Sequence, residues 1–184
     1  MRPVIVAVLI FAAVLGLRAS GAFDPGPPKL DPNDARFNPA GQVVGVKQKD
    51  EGRGHVANDK TVSYGTTPPT SGDHWDTPAG WGSYDRQQPN ERTVHNLEHG
   101  GIVIQFGSKI SSGDLDRLMG YYDDDPNAVL MAPLPALGNK IAATAWQKLL
   151  TCTKFDKKAL DSFKKKHRYK APERLPKEAL EPGR

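Results

Sequence analysis

Residues His95 to Gly101 read HNLEHGG, the densest concentration of reactive side chains in the chain. Two imidazoles four apart enclose the carboxylate of Glu98, and two glycines lead at once into the apolar run Ile102-Val103-Ile104-Gln105-Phe106. His74, in SGDHW, and His55, in GRGHV, lie shortly upstream, so four of the five histidines fall between positions 55 and 99. Imidazole is the commonest metal ligand, and a chain with one thiol leaves histidine and carboxylate as its main donors. A spacing of four keeps His95 and His99 on one side of the chain whether it is helical or extended. The expected donor set is therefore His74, His95 and His99, with His55 or Glu98 assisting. Nitrogen and oxygen donors in that number suit a zinc or copper(II) ion.

Two other readings compete with a binding site. His95 to His99 also spell H-x-x-E-H, an inverted zinc-peptidase pattern in which the glutamate is the general base. That chemistry needs a substantial helix and a further glutamate ligand far downstream, a role that would fall to Glu173 or Glu178 in the tail. A metal-dependent hydrolase with Glu98 as base therefore ranks second. In the third reading the histidines are structural and a tryptophan-bearing loop contacts a protein partner. Glu98 would then accept N–H groups of the glycine turn, or orient a histidine from behind. GxxxxGK[ST], GxGxxG and GxSxG are all missing, so neither a phosphate cradle nor a nucleophile elbow is expected. His167, within KKKHRYK, is expected to be solvated.

These donors need elements to hold them, and 184 residues suffice for one domain with a real core. Arg2, the apolar run Pro3–Leu17 and the small residues Ala19-Ser20-Gly21-Ala22 predict a signal peptide over residues 1–22. That run is short for a membrane span, and an uncleaved anchor is the alternative. The chain is thus expected outside the cytoplasm, with a membrane as partner only if the segment is retained. Residues 23–41 are rich in Pro, Asp, Asn and Gly and read as an extended linker. The globular domain is placed at 42–170, with a loose tail at 171–184.

Within the domain, Val43–Lys47 and Thr61–Tyr64 read as short strands, and Lys49–Asp59 as a polar loop carrying His55. An irregular stretch from about Gly65 to Asn90 holds Trp75, Trp81 and Tyr84. Its large rings argue for packing rather than disorder. Ile102–Phe106 is a buried strand. Ser111 or Ser112 caps a helix to Tyr122, and Ala128–Met131 completes a parallel strand–helix–strand unit. Ile141–Trp146 is a further strand. Phe155 or Asp156 opens a last helix with Ala159, Leu160 and Phe163 inward and Lys157, Lys158, Lys164 and Lys165 toward water. The fold class is α+β: a small mixed sheet, two helices and a long irregular His/Trp-bearing loop region.

The whole-chain charge of +4 is ordinary, although Lys154–Arg184 alone carries 11 basic against 5 acidic residues. Without interleaved aromatics this reads as a solvated face, and no nucleic-acid partner is expected. Cys152 is the only cysteine, so no intrachain disulfide can form. A buried thiol is the plain reading, with a soft metal ligand or an interchain bridge as the sharper ones.

At YGTTPPTSGDHW and TVHNLEHGGIVIQF the chain resembles the family known as domain of unknown function 3105. The family's blocks correspond here to His55-Val56, Pro68 to Trp75, Gly82 with Tyr84, His95 to Gly100, and Ala145-Trp146, spanning about Gly52 to Glu173. Asp73 stands where the pattern has proline. The resemblance implies a secreted or membrane-anchored domain and no established activity. It places all four clustered histidines in the motif blocks and His167 outside them.

Overall fold

A computed structural model describes residues 45–183. The expected signal peptide, the linker and the start of the first predicted strand at Val43 lie outside the described residues. The domain is α+β, as the sequence suggests, but with three α-helices rather than two. In chain order the elements are β1 (Val46–Lys47), β2 (His55–Val56), β3 (His74–Trp75), β4 (Gly82–Ser83), α1 (Asn90–Glu98), β5 (Ile102–Phe106), α2 (Ser112–Asp124), β6 (Val129–Pro133), β7 (Ile141–Ala145), β8 (Lys148–Cys152) and α3 (Lys157–His167). Short 3₁₀ turns occupy Pro135–Leu137 and Lys177–Leu180.

Six strands form one mixed sheet in the order β1-β8-β7-β5-β6-β4. β5 runs parallel to β6 with α2 as the crossover, the expected unit, and β7 pairs antiparallel to β5 on its other side. The central strand is covered on both faces, which is why it reads as a continuous apolar run rather than an alternation. Ile102 and Ile104 pack with Leu118, Tyr121 and Tyr122 of α2 and Leu160 and Phe163 of α3. Val103 points the other way, into a cluster with Trp81, Leu97, Leu130 and Leu180. This second layer, built from α1 and irregular segments, carries the histidines.

The third helix, α1, is hard to recognise because its buried stripe is polar. In NERTVHNLE only Val94 and Leu97 are apolar, yet Glu91, Thr93, His95, Asn96 and Glu98 are buried with them. Hydrogen bonds to distant backbone make that burial tolerable. Glu91 accepts the Val62 N–H, and Asn96 both accepts from and donates to the backbone of Ala79. Apolar periodicity cannot register such a face. The glycines after the helix solve two separate problems. Gly100 takes φ +90°, and a side chain on Gly101 would run into the Trp81 indole. The chain can therefore turn from α1 into β5 within three residues, His99 to Gly101.

Several other expectations are corrected. Thr61–Tyr64 is irregular, because its backbone is held by long-range side-chain bonds such as Glu91 to Val62 rather than by a strand partner. His55 lies in a strand, since β2 pairs with β3, and Lys148–Cys152 is a strand closing a two-residue hairpin. Lys164 is buried: its ammonium sits 4.4 Å above the Tyr121 ring and 3.2 Å from Asp125. His167 is buried as well, edge-on to Phe163. Residues 171–183 do not form a loose tail. Leu180 is fully buried, its carbonyl accepts the Ala128 N–H, and Gly183 donates to the Trp81 carbonyl. Cys152 is a buried free thiol pushed up to about 11 by burial, which suits the plain reading of it.

Candidate metal site

The site starts from a very short ladder. β2 and β3 are two residues each, parallel, and in a register that makes His55 the direct partner of His74. The register is pinned from outside: Gly72 donates to the Gly52 carbonyl, His74 donates from its backbone N–H to that of Gly54, and Gly54 donates to the Asp73 carboxylate at 2.9 Å. Asp73, the departure from the family pattern, thus fastens the loop to β2. Helix α1 then lays His95 against this pair. The ring centroids of His55, His74 and His95 lie 4.8, 5.0 and 5.1 Å apart.

Two of the three rings have a hydrogen-bond acceptor at Nδ1. His74 Nδ1 is 2.9 Å from the Gly72 carbonyl, and His95 Nδ1 is 2.6 Å from the Trp75 carbonyl. A carbonyl oxygen only accepts, so both Nδ1 atoms carry hydrogen and donate. His55 Nδ1 is not hydrogen-bonded and lies 3.9 Å from the Asp76 carboxylate. Both acceptors come from the segment Gly72–Trp75, which also contributes His74. Fixing the proton at Nδ1 of His74 and His95 leaves their Nε2 atoms to donate a lone pair, the outer-shell pattern typical of ligating histidines.

One ligand atom from each of these histidines lies within 4.8 Å of the others, and the three form a group that could hold a metal ion. A spacing of 4.8 Å guarantees a point within roughly 2.8 Å of all three, against about 2.0–2.1 Å for a zinc–imidazole bond. Inward movement of less than an ångström per ring closes the difference. The donor chemistry therefore fits a metal ion.

Glu98 completes the inner wall. Its Oε2 is 2.9 Å from His74 Nε2 and 3.7 Å from His55 Nε2, and its side chain is almost fully buried. Since His74 already donates from Nδ1, its Nε2 can meet an unprotonated carboxylate favourably only through a proton or a cation. A buried carboxylate without such a partner is costly. His99 stands one step out. Its Nε2 is 3.1 Å from His95 Nε2 and its ring 4.4 Å from that ring, but it is not one of the converging three. Burial, reinforced by neighbouring histidines, lowers the basicity of both His95 and His99. This favours the unprotonated, ligand-competent form of both imidazoles.

All five side chains singled out from the sequence thus meet at one place: His55, His74 and His95 converge, Glu98 touches two of them, and His99 backs onto the third. His167 is elsewhere, on α3. Sequence reasoning missed the carbonyls of Gly72 and Trp75, which carry no residue-type signal, and Asp76, whose closeness to His74 was the only available hint. It also missed that Glu173 lies near enough to His99 to raise its proton affinity, opposing the effect of burial. The site is open on the side of His55, whose side chain is 43% exposed, and closed at His74, which is fully buried.

No curated protein and no solved structure matches the chain. A family model does match, over residues 55–179, and its span contains the four clustered histidines and Glu98. With that span covering most of its length, the chain belongs to the family described as protein of unknown function (DUF3105).

Proposed function

We propose that this protein is an exported metal-binding domain that holds a copper or zinc ion through its histidine cluster. His55, His74 and His95 supply nitrogen ligands from Nε2, and Glu98 supplies a carboxylate to the same ion. His99 lies next to His95 as a further donor once the ion is in place. The observation that carries this reading is that ligand atoms of His55, His74 and His95 lie within 4.8 Å of one another, with the Nδ1 protons of His74 and His95 held by backbone carbonyls. Structural histidines need no such convergence. The bound ion would supply a Lewis-acidic centre reachable from the His55 side. Export rests on the basic, apolar and small-residue succession of residues 1–22, and a domain of this kind would store, deliver or sense its ion.

The second reading, a metal-dependent hydrolase, is favoured by one specific observation. Glu98 is buried beside two of the three histidines, where a carboxylate could take a proton from a water on the ion.

The experiment is elemental analysis of the full chain purified without chelator, and again after incubation with copper or zinc salts. About one ion per chain is expected from a three-nitrogen site, with loss of that ion in His74→Ala and His95→Ala. Protein that neither carries nor takes up either metal would leave the histidines structural and favour the partner-binding reading. If a hydrolysis is detected, Glu98→Gln retaining metal while losing turnover would select the enzyme.

A further inference from the structure

Trp146 belongs to the sequence blocks shared with the family, yet it supplies no donor atom to the histidine centre. Its indole stands edge-on to His74, with ring centroids 6.4 Å apart, and Trp146 also lines a cavity whose other walls contain none of the histidines. That cavity has a volume of about 460 Å³, within the range of small-molecule sites, and Asp50, Arg53, Gln147, Lys170 and Pro172 line it with Trp146.

Arg53 and Lys170 line the cavity together with the indole, and neither forms a side-chain ion pair among the described residues. Asp50, the one acid present, accepts the Gly52 N–H through its carboxylate. Gln147 takes φ +56° in the two-residue turn between β7 and β8, as tight hairpins require of a loop residue. Here the Gln147 N–H donates to Thr70 and its carbonyl accepts from Gln48, so the turn is held from both sides.

We propose that the cavity beside Trp146 binds a small, flat organic carboxylate. The indole and the Pro172 ring form apolar walls suited to a planar body. The Arg53 guanidinium offers the paired N–H groups that match a carboxylate, and Lys170 adds a second positive charge. Asp50 leaves the lining one positive charge in excess, which favours a monoanion over a phosphate or a dicarboxylate. The Gln147 amide lies at the turn where it can donate to or accept from a ring substituent. An occupant would rest on the same indole that backs His74, yet its binding does not depend on an ion at the histidine centre.

The test is calorimetric titration of the full chain with sodium benzoate, benzamide and acetate, in excess chelator so that no metal-bound carboxylate can mimic the effect. Benzoate is expected to bind saturably, with benzamide and acetate at least about tenfold weaker because each lacks the charge or the plane. Arg53→Gln and Lys170→Gln, both at exposed positions and checked for an unchanged melting temperature, should each weaken benzoate by about fivefold or more. The Trp146 indole N–H resonance, assigned with Trp146→Phe, should move on titration. Absence of saturation up to about 10 mM benzoate, the level of a negligible affinity, would overturn the proposal. So would binding that the two cation variants leave unchanged. Neither result bears on whether the histidines hold a metal.

Discussion

His55 and His74 are register partners in a parallel ladder only two residues long, and their rings meet edge to face 4.8 Å apart. One ring is fully buried and the other half-exposed, so the pair forms a floor and a rim. Removing the floor leaves a hole lined by Glu98 and two unmatched donors, whereas removing the rim leaves the inner pair intact. His74→Ala should therefore abolish stoichiometric metal binding, while His55→Ala keeps weakened binding by His74, His95 and Glu98. Elemental analysis after dialysis, followed by competition with a chromophoric chelator, separates the two.

Asp76 touches no donor atom of the converging set and acts on His55 from behind, at 3.9 Å from its Nδ1. Loss of such an orienting carboxylate typically reduces metal affinity about 10- to 100-fold without removing a ligand. Asp76→Asn should lie at the lower end of that range, given the long separation, and retain full stoichiometry. A chelator competition showing wild-type affinity would mean that His55 is oriented without it.

A metal held by the folded state alone raises its stability by mass action, by about 2.7 kcal/mol at a free concentration 100 times the dissociation constant. Thermal melts with added zinc or copper should therefore shift upward and return on chelation. The shift should fade below neutral pH. His95 and His99 have lowered proton affinity in the fold, which favours the unprotonated form available to an ion, and acidification turns lone pairs into N–H groups. A metal-induced shift that grew on acidification would contradict this donor set.

His167 offers a pH dependence unrelated to any ion. Burial, together with the charges of Lys166, Lys148 and Lys170, lowers it to about 4, and its Nε2 has no hydrogen-bond partner among the described residues. The unfolded chain then binds the extra proton between the ordinary value of 6.5 and about 4, so stability must fall as pH drops through that window. The expected loss is on the order of 2 kcal/mol, below the full conversion of the shift because the lysine charges act through solvent. His167→Phe, which keeps a ring against Phe163, should flatten the urea midpoint between pH 7 and pH 4. An undiminished slope in that variant would assign the dependence to other groups.

The segment after α3 is a structural part of the domain. Leu180 is fully buried in the cluster with Trp81, Leu97 and Leu130 beneath α1. Leu180→Ala should cost about 2–5 kcal/mol, the range for truncating a buried leucine. Chemical denaturation measures it directly, and a change below about 0.5 kcal/mol, the usual scale of a surface substitution, would show the tail to be dispensable.

What the sequence determined by itself was chemistry and local order. Residue types and spacings brought His55, His74, His95, His99 and Glu98 into view as candidates, and Ser111 and Asp156 announced their helices because a cap is a contact within one turn. Ile102–Phe106 declared itself by being apolar on both faces. Helix α1 stayed hidden because its buried stripe is made of Glu91, His95, Asn96 and Glu98, whose burial is acceptable only beside partners some 15 to 30 residues away. Tertiary structure alone decided that His55 pairs with His74, that backbone carbonyls of Gly72 and Trp75 set the tautomers, and that His99 stands behind His95. It also decided that Lys164, His167 and Leu180 are interior. These outcomes depend on long-range packing and on main-chain groups identical in every residue, and neither leaves a mark in composition or spacing.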